Sequence, residues 1–126
     1  IELHPYVWKA AEPIVTFGKE HGIITASYSG QTPVARGAGP LDDVLPRIRD
    51  RLEKTRGHPV TSGQVLSKWL IQKDVIVVTT SSKVSRIKEF IDTESVPDLT
   101  SEEIHEIEET GGKLHKRIFM HHVFDA

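Results

Sequence analysis

The chain contains no cysteine among its 126 residues. Disulfide bonds, thiol catalysis and zinc sites built on cysteine are therefore excluded. No apolar run reaches the ~18 residues that a membrane span requires, and no signal-peptide pattern is present. These absences predict a cytoplasmic protein that does not enter a membrane.

An excess of basic charge is also missing, because 16 lysines and arginines stand against 18 aspartates and glutamates. The basic cluster at residues 47–51 carries an aspartate within the same turn, which is typical of a solvated helix face. We therefore predict no nucleic-acid partner. The length fits one domain, and 37% hydrophobic with 27% charged residues fits a globular one.

Apolar and β-branched stretches predict strands at residues 1–3, 22–28 and 75–79. The continuous apolarity of the third stretch favours a strand covered on both faces, as in parallel sheets. A polar loop rich in glycine and proline occupies residues 29–40, and its length suggests a function.

Helical patterns lie between and after these strands. The first is predicted to begin near Glu12, with Pro13 at its first position. The others are a helix capped by Asp42 or Asp43 that ends at Gly57, one with a capping box at Thr61 and Gln64, one over residues 84–91, and one capped by Thr100 with Glu103. Residues 111–126 form a tail without a clean period. This alternation predicts an α/β fold of βαβ units around a parallel sheet.

The most informative segment joins the third strand to its helix through hydroxyl and basic side chains. These side chains are Thr79, Thr80, Ser81, Ser82, Lys83 and Arg86. A helix N-terminus offers free N–H groups and a partial positive charge, and the side chains add donors. The segment predicts a binding site for a phosphate-bearing ligand such as a nucleotide.

Several segments resemble aldo-keto reductases in order and spacing. Residues 1–6 resemble the segment after the sixth barrel strand, and Tyr28-Ser29 resembles the family's Tyr-Ser-Pro-Leu segment. Residues 64–72 resemble its Gln-Val-Leu-Leu-Arg-Trp helix. Residues 80–87 resemble its cofactor-phosphate segment, and residues 99–103 resemble the start of its last helix. The fungal ketoreductase branch is the most similar. The resemblance implies that residues 1–126 are the C-terminal part of a (β/α)8 TIM barrel, about strands six to eight.

The resemblance further implies an NADP(H)-dependent enzyme that reduces aldehydes or ketones by hydride transfer. Tyr28 would stack on the nicotinamide, and Ser29 and the loop from Gly30 would bind the pyrophosphate. Ser81, Ser82 and Arg86 would hold the 2′-phosphate. Three residues depart from the family's pattern. Thr80 stands where many members have a lysine, whose role would pass to Lys83. Phe90 stands where many members have an asparagine, and Gly30 stands where proline is usual.

The catalytic residues of the family would lie upstream, in a missing N-terminal barrel segment, so no catalytic residue is predicted in this chain. The alternative function is a non-catalytic half-barrel that serves as an interaction or cofactor-binding module. Without the family resemblance, each of these residues has a purely structural interpretation. Tyr28 would be an aromatic residue of the core, Arg86 would be a surface residue, and residues 81–83 would cap a helix. Phe119 and Phe124 fit either a substrate pocket or simple packing. No metal site is predicted from the histidines.

Overall fold

The computed structural model describes residues 1–125, in which helices alternate with short strands. The elements in chain order are a 3-10 turn Pro5–Val7, α1 Trp8–Glu20, β1 Ala26–Ser27, α2 Thr32–Ala35, α3 Val44–Arg56, α4 Ser62–Gln72, β2 Ile76–Val77, α5 Val84–Asp92, a 3-10 turn Thr93–Ser95, α6 Ser101–Gly111 and α7 His121–Phe124.

The sheet is parallel, as the alternation of strands and helices predicts. β1 pairs with β2, with Ala26 opposite Ile76, and Glu2 forms a parallel bridge to Tyr28 on the other side of β1. The three predicted strands are therefore neighbours, but each is shorter than the apolar stretch that predicts it. A strand extends only as far as its ladder of hydrogen bonds. The ladder between β1 and β2 includes Ile76 N to Thr25 O and Val78 N to Ser27 O, each 2.9 Å.

The prediction that residues 75–79 are covered on both faces is wrong for the described residues. Ile76 is 54% exposed and Val78 is 53% exposed, whereas Val75 is buried. The physical reason is that residues 1–125 supply cover for the helix-bearing face of the sheet and leave the opposite face open.

The first helix begins earlier than predicted and carries Pro13 in its interior. The 3-10 turn Pro5–Val7 leads directly into α1, so the chain is already helical when it reaches Trp8. Trp8, Ala11 and Val15 are buried along one side of α1. Burial of this apolar side offsets the hydrogen bond that proline cannot donate.

The local signals for the other helix ends are largely confirmed. Both capping boxes form, at Thr61 with Gln64 and at Thr100 with Glu103. Gly57 ends α3 with φ +76°, a left-handed conformation that glycine adopts without strain. The side chain of Asp43 makes no capping bond, and Asp42 instead accepts from Gly39 N at 3.1 Å in the preceding loop.

The core lies between the sheet and the helices α1, α3, α4 and α6. Trp8 and Trp69 meet edge to face with ring centroids 5.3 Å apart, and both are buried packing residues. The fully buried side chains include Leu3, Tyr6, Leu41, Leu45, Ile48, Leu52, Leu66, Leu70 and Ile107.

Apolar side chains are exposed at both edges of this layer. Ile14, Phe17, Ile23 and Ile24 lie at the α1 edge, and Val84, Ile87 and Ile91 lie along α5. No residue of α5 is buried, although its apolar residues share one face. None of the helices formed by residues 1–125 is long and apolar enough to cross a membrane.

Candidate functional site

A cleft of about 720 Å³ opens where β1 and β2 end, at their carboxyl edge. It is lined by every residue of the predicted cofactor site, namely Tyr28, Ser29, Gly30, Thr80, Ser81, Ser82, Lys83 and Arg86, together with Gln31, Val78, Thr79, Phe90 and Phe119. Two chain segments that are separated by some fifty positions in the sequence thus form one concave surface.

Tyr28 is placed by backbone hydrogen bonds to residues 1–3, and Ser29 follows it in a turn. Tyr28 N donates to Ile1 O at 2.9 Å, and Leu3 N donates to Tyr28 O at 3.1 Å. The Tyr28 side chain is 40% exposed, so the interpretation of a buried core aromatic is wrong. Ser29 has φ +61°, and its carbonyl accepts from the hydroxyl of Thr32 at 2.8 Å. This turn directs the chain out of the sheet and along the floor of the cleft.

Gly30 is required by a close approach. A Cβ at this position would lie 2.8 Å from Leu70 Cδ1, and Leu70 is fully buried. A side chain at this position would therefore crowd Leu70 in the packed core. The absence of a side chain brings the loop backbone down onto the core and leaves room above it in the cleft.

The second wall is the loop 79–83 and the first turn of α5. Ser81 Oγ accepts from Lys83 N at 3.0 Å, which folds the loop back on itself. No side chain caps the N-terminus of α5 in the described structure. The first N–H groups of α5 therefore lack a side-chain acceptor, and Lys83 and Arg86 lie in the same turn of the chain.

Arg86 lies over this wall with contacts that leave its guanidinium accessible. Its carbon Cζ is 5.7 Å from the centroid of the Phe90 ring, and Nη1 is 4.0 Å from Glu89 Oε2. The side chain is about half exposed. An exposed pair at this distance is weak, so Arg86 is free to bind an anion while it stacks on Phe90.

The sequence and the fold have counterparts among known proteins. The chain is 37% identical over 124 residues to the NAD/NADP-dependent indole-3-acetaldehyde reductase of Schizosaccharomyces pombe, covering 98% of the chain and 41% of that protein. It is 34% identical over 92 residues to an aldo-keto reductase of Mycolicibacterium vanbaalenii, covering 73% of the chain and 29% of that protein. No protein-family model matches.

A solved structure of an aldo/keto reductase from Brucella melitensis superimposes on the chain with a TM-score of 0.68 at 24% identity, covering 87% of the chain and 37% of that structure. The chain belongs to the aldo-keto reductase family. It spans less than half the length of the relatives named above. Its fold is the C-terminal part of a (β/α)8 barrel, about strands six to eight, as predicted.

In an aldo-keto reductase barrel the cleft lies at the carboxyl ends of the strands, the edge where barrel enzymes carry their functional groups. The position is set by topology, since Tyr28 follows β1 directly, Thr80 lies three residues after β2, and the two strands run in the same direction. The residues present fit a nucleotide, because hydroxyls, cations and open N–H groups meet on one wall and an accessible aromatic ring stands on the other.

Sequence reasoning missed some residues of this aldo-keto reductase cleft. Gln31 lines it and is held by α4, with Nε2 donating to Gly63 O at 3.1 Å and to Ser67 Oγ at 3.2 Å. Its Oε1 is buried without a hydrogen-bond partner among residues 1–125. Only the unusual length of the loop 29–40 signals a role for Gln31. Phe119 lines the cleft and also packs edge to face against Tyr28.

The histidines do not assemble a metal centre in the part of the chain that the structure describes. No group of three or more metal-ligating side chains occurs there. His4 is buried and paired with Glu2, and His115 Nε2 lies 3.1 Å from Asp125 Oδ1 on the surface.

Proposed function

We propose that this chain is the C-terminal, cofactor-binding portion of an NADP(H)-dependent aldo-keto reductase that reduces aldehydes or ketones to alcohols. One observation carries the proposal. Every residue that the family resemblance assigns to the cofactor lines the same cleft, although the two groups come from different βα units. The name of the Schizosaccharomyces pombe relative, an NAD/NADP-dependent indole-3-acetaldehyde reductase, supports both the cofactor class and the carbonyl substrate class.

The cofactor would supply the hydride when bound, and the residues of this chain would bind and orient it. Tyr28 offers an accessible aromatic ring against which a planar ring can stack. Ser29 and the backbone from Gly30 would hold the pyrophosphate along the floor of the cleft. Thr80, Ser81 and Ser82 would donate hydroxyl hydrogen bonds to the phosphate at the adenosine end.

Preference for NADP(H) over NAD(H) would come from the cations of the second wall. Arg86 can bind a phosphate through two N–H groups at once, and Lys83 would supply the charge that Thr80 lacks. NAD(H) has no 2′-phosphate, so it gains little from either residue.

The proton-transfer groups would be supplied by the N-terminal segment of the barrel. The open apolar edges at Phe17 and Ile91 support this arrangement, since both need cover from further strands and helices. A carbonyl substrate would lie on the Tyr28 side of the cleft, because the hydride is transferred from the nicotinamide.

The test uses the full-length gene product, purified and stripped of nucleotide. Calorimetric titration with NADPH and then with NADH measures the cofactor preference, and the loss of NADPH absorbance in the presence of an aromatic aldehyde measures turnover. We expect tighter binding of NADPH and aldehyde-dependent oxidation. Binding without turnover would overturn the reductase proposal in favour of a cofactor-binding module, and no binding of either nucleotide would overturn both.

A further inference from the structure

The buried carboxylate of Glu2 lies outside the cleft and binds the backbone of a segment that forms one of its walls. Glu2 is 3% exposed. Its Oε1 accepts from Ile118 N at 2.7 Å and from His4 Nε2 at 3.0 Å, and its Oε2 accepts from Phe119 N at 3.1 Å. Hydrogen bonds to a charged acceptor are about twice as strong as neutral ones. The carboxylate thus binds consecutive backbone amides of the C-terminal segment, defined here as residues 113–125.

The residue fixed in this way contacts the predicted cofactor site. The Phe119 ring meets the Tyr28 ring edge to face, with centroids 5.6 Å apart and planes at 76°. Both rings line the cleft. Glu2 is also the residue that bridges Tyr28 in the sheet. Glu2 therefore contacts both aromatic residues. Its backbone pairs with Tyr28, and its carboxylate binds the backbone of Phe119.

Apolar packing contributes little to the placement of the C-terminal segment. Phe119, Met120, Val123 and Phe124 are all exposed, and only Ile118 is partly buried among its apolar residues beyond Leu114. Other polar contacts between this segment and the rest of the described structure come from Lys113 and Leu114, whose backbone N–H groups donate to Thr110 O and Gly111 O at 3.2 Å each. Lys116 adds two, since its backbone N donates to Tyr6 O at 3.0 Å and its ammonium group donates to Arg36 O. These contacts lie before Ile118, so the position of Phe119 itself depends on Glu2.

We propose that Glu2 is a positioning residue, which fixes the backbone at 118–119 so that Phe119 forms the wall of the cleft beside Tyr28. The part of this inference that concerns the substrate rests on the proposed function. In that function, the wall formed by Phe119 bounds the space for the carbonyl substrate. Glu2 would then tune the fit of substrates without touching them. His4 supports the arrangement, since its Nε2–H donates to the carboxylate and holds it in the orientation that faces the amides.

The first experiment measures release of the C-terminal segment in the full-length gene product and needs no ligand. Trypsin cleavage at Lys116 and Arg117 is followed under native conditions for the wild type and for Glu2→Ala, Glu2→Gln and Glu12→Ala. We expect cleavage about tenfold faster in Glu2→Ala. An intermediate rate is expected in Glu2→Gln, which keeps one acceptor oxygen, and an unchanged rate in Glu12→Ala, which removes an exposed glutamate from α1. An unchanged rate in Glu2→Ala would overturn the proposal.

The second experiment asks whether Glu2 acts through Phe119. The KM for a bulky aromatic aldehyde, kcat and the NADPH dissociation constant are measured for Glu2→Ala, Phe119→Ala and the double variant. Each single change is expected to raise KM about tenfold with little effect on kcat or on NADPH binding. The double variant is expected to match the single ones, because coupled residues are not additive. Effects that multiply would show that Glu2 does not act through Phe119.

The two experiments separate this inference from the proposed function. If the wild type binds no nucleotide and reduces no aldehyde, the proposed function fails, and the trypsin rates still decide whether Glu2 holds the segment. Thermal melting of Glu2→Gln serves as the check on folding. A variant that melts like the wild type yet is cleaved faster has lost the local contact and kept the fold.

Discussion

Gln64 on α4 is joined to Asp92 at the end of α5, with Gln64 Nε2 lying 3.0 Å from Asp92 Oδ2. The same nitrogen lies 3.0 Å from Glu89 O. The other end of the amide completes the capping box, since Gln64 Oε1 accepts from Thr61 N at 3.0 Å. One buried side chain therefore starts α4 and anchors α5, the helix that carries Arg86 and has no buried residue of its own.

Replacing Gln64 by glutamate separates these two roles. Glutamate still fits the capping box, but it cannot donate to Glu89 O or Asp92 Oδ2. Both acceptors keep another donor, Arg56 Nη2 for Asp92 Oδ2 and the hydroxyl of Thr93 for Glu89 O. We therefore expect a loss of about 0.5–1.5 kcal/mol for each hydrogen bond removed. The hydrogen bond from Arg56 and then that from Gln64 lower the pKa of Asp92, so the variant should also raise that pKa. Chemical denaturation, together with NADPH titration, measures the loosening of α5.

Thr61→Ala is the matched control for this variant. It removes the side-chain cap of α4, whose oxygen lies 3.1 Å from Gln64 N, and leaves the contacts of Gln64 with α5 in place. The expected cost is about 1 kcal/mol of stability, with nucleotide binding unchanged. If Thr61→Ala and Gln64→Glu weakened nucleotide binding equally, the link between Gln64 and Asp92 would have no role in placing Arg86.

Arg86→Ala should weaken NADPH binding about 10- to 100-fold and NADH binding much less, because the lost contacts are charged hydrogen bonds to the 2′-phosphate. Lys88→Ala is the matched control. It removes the same charge from an exposed position on the same helix, and Lys88 does not line the cleft. Parallel calorimetric titrations of both variants decide the matter. Equal losses in the two variants would reduce the role of Arg86 to general electrostatic attraction.

The sequence predicts best those features that depend on neighbouring residues. Both capping boxes form within four positions, and the parallel strand order follows from βα alternation. The contact of Glu2 with Ile118 joins positions 116 apart, and no local pattern encodes it. The same holds for Gly30, which looks like a loop glycine in sequence and is limited by Leu70 in the fold. Residues 111–126 have no period, so the placement of Phe119 required the structure.

Gly30→Ala should destabilise the protein by about 1–3 kcal/mol, because the added Cβ would lie 2.8 Å from Leu70 Cδ1 in a packed core. The side chain of Leu70 has no exposed surface into which it can turn. Leu70→Val removes the atom that would clash, so the combined variant should lose less stability than the two single changes added together. Thermal or urea unfolding of the set measures the coupling. Simple additivity would show that the loop moves instead of Leu70.

The binding of the C-terminal segment by the Glu2 carboxylate should weaken as the pH falls. Burial raises the pKa of Glu2, but hydrogen bonds from His4, Ile118 N and Phe119 N outweigh it, so the pKa lies below the ordinary value of 4.5. A carboxyl group with a lowered pKa stabilises the bound state fully above its ordinary value. That contribution is lost as the pH falls through the lower value of the folded protein. The segment should thus stay bound at neutral pH and be released in acid.

The charged groups near Glu2 do not reverse this direction. Burial lowers the pKa of His4 below 6.5, so His4 is neutral at pH 7 and donates through Nε2–H, while Arg117 and His115 further disfavour its protonation. Amide NMR signals of Ile118 and Phe119 report the release directly. We expect them to shift together below pH 4.5 in the wild type, with Ile107 of the buried core unchanged over the same step. Glu2→Gln has no carboxyl group to titrate, and a step of the same size in that variant would assign the acid release to another group.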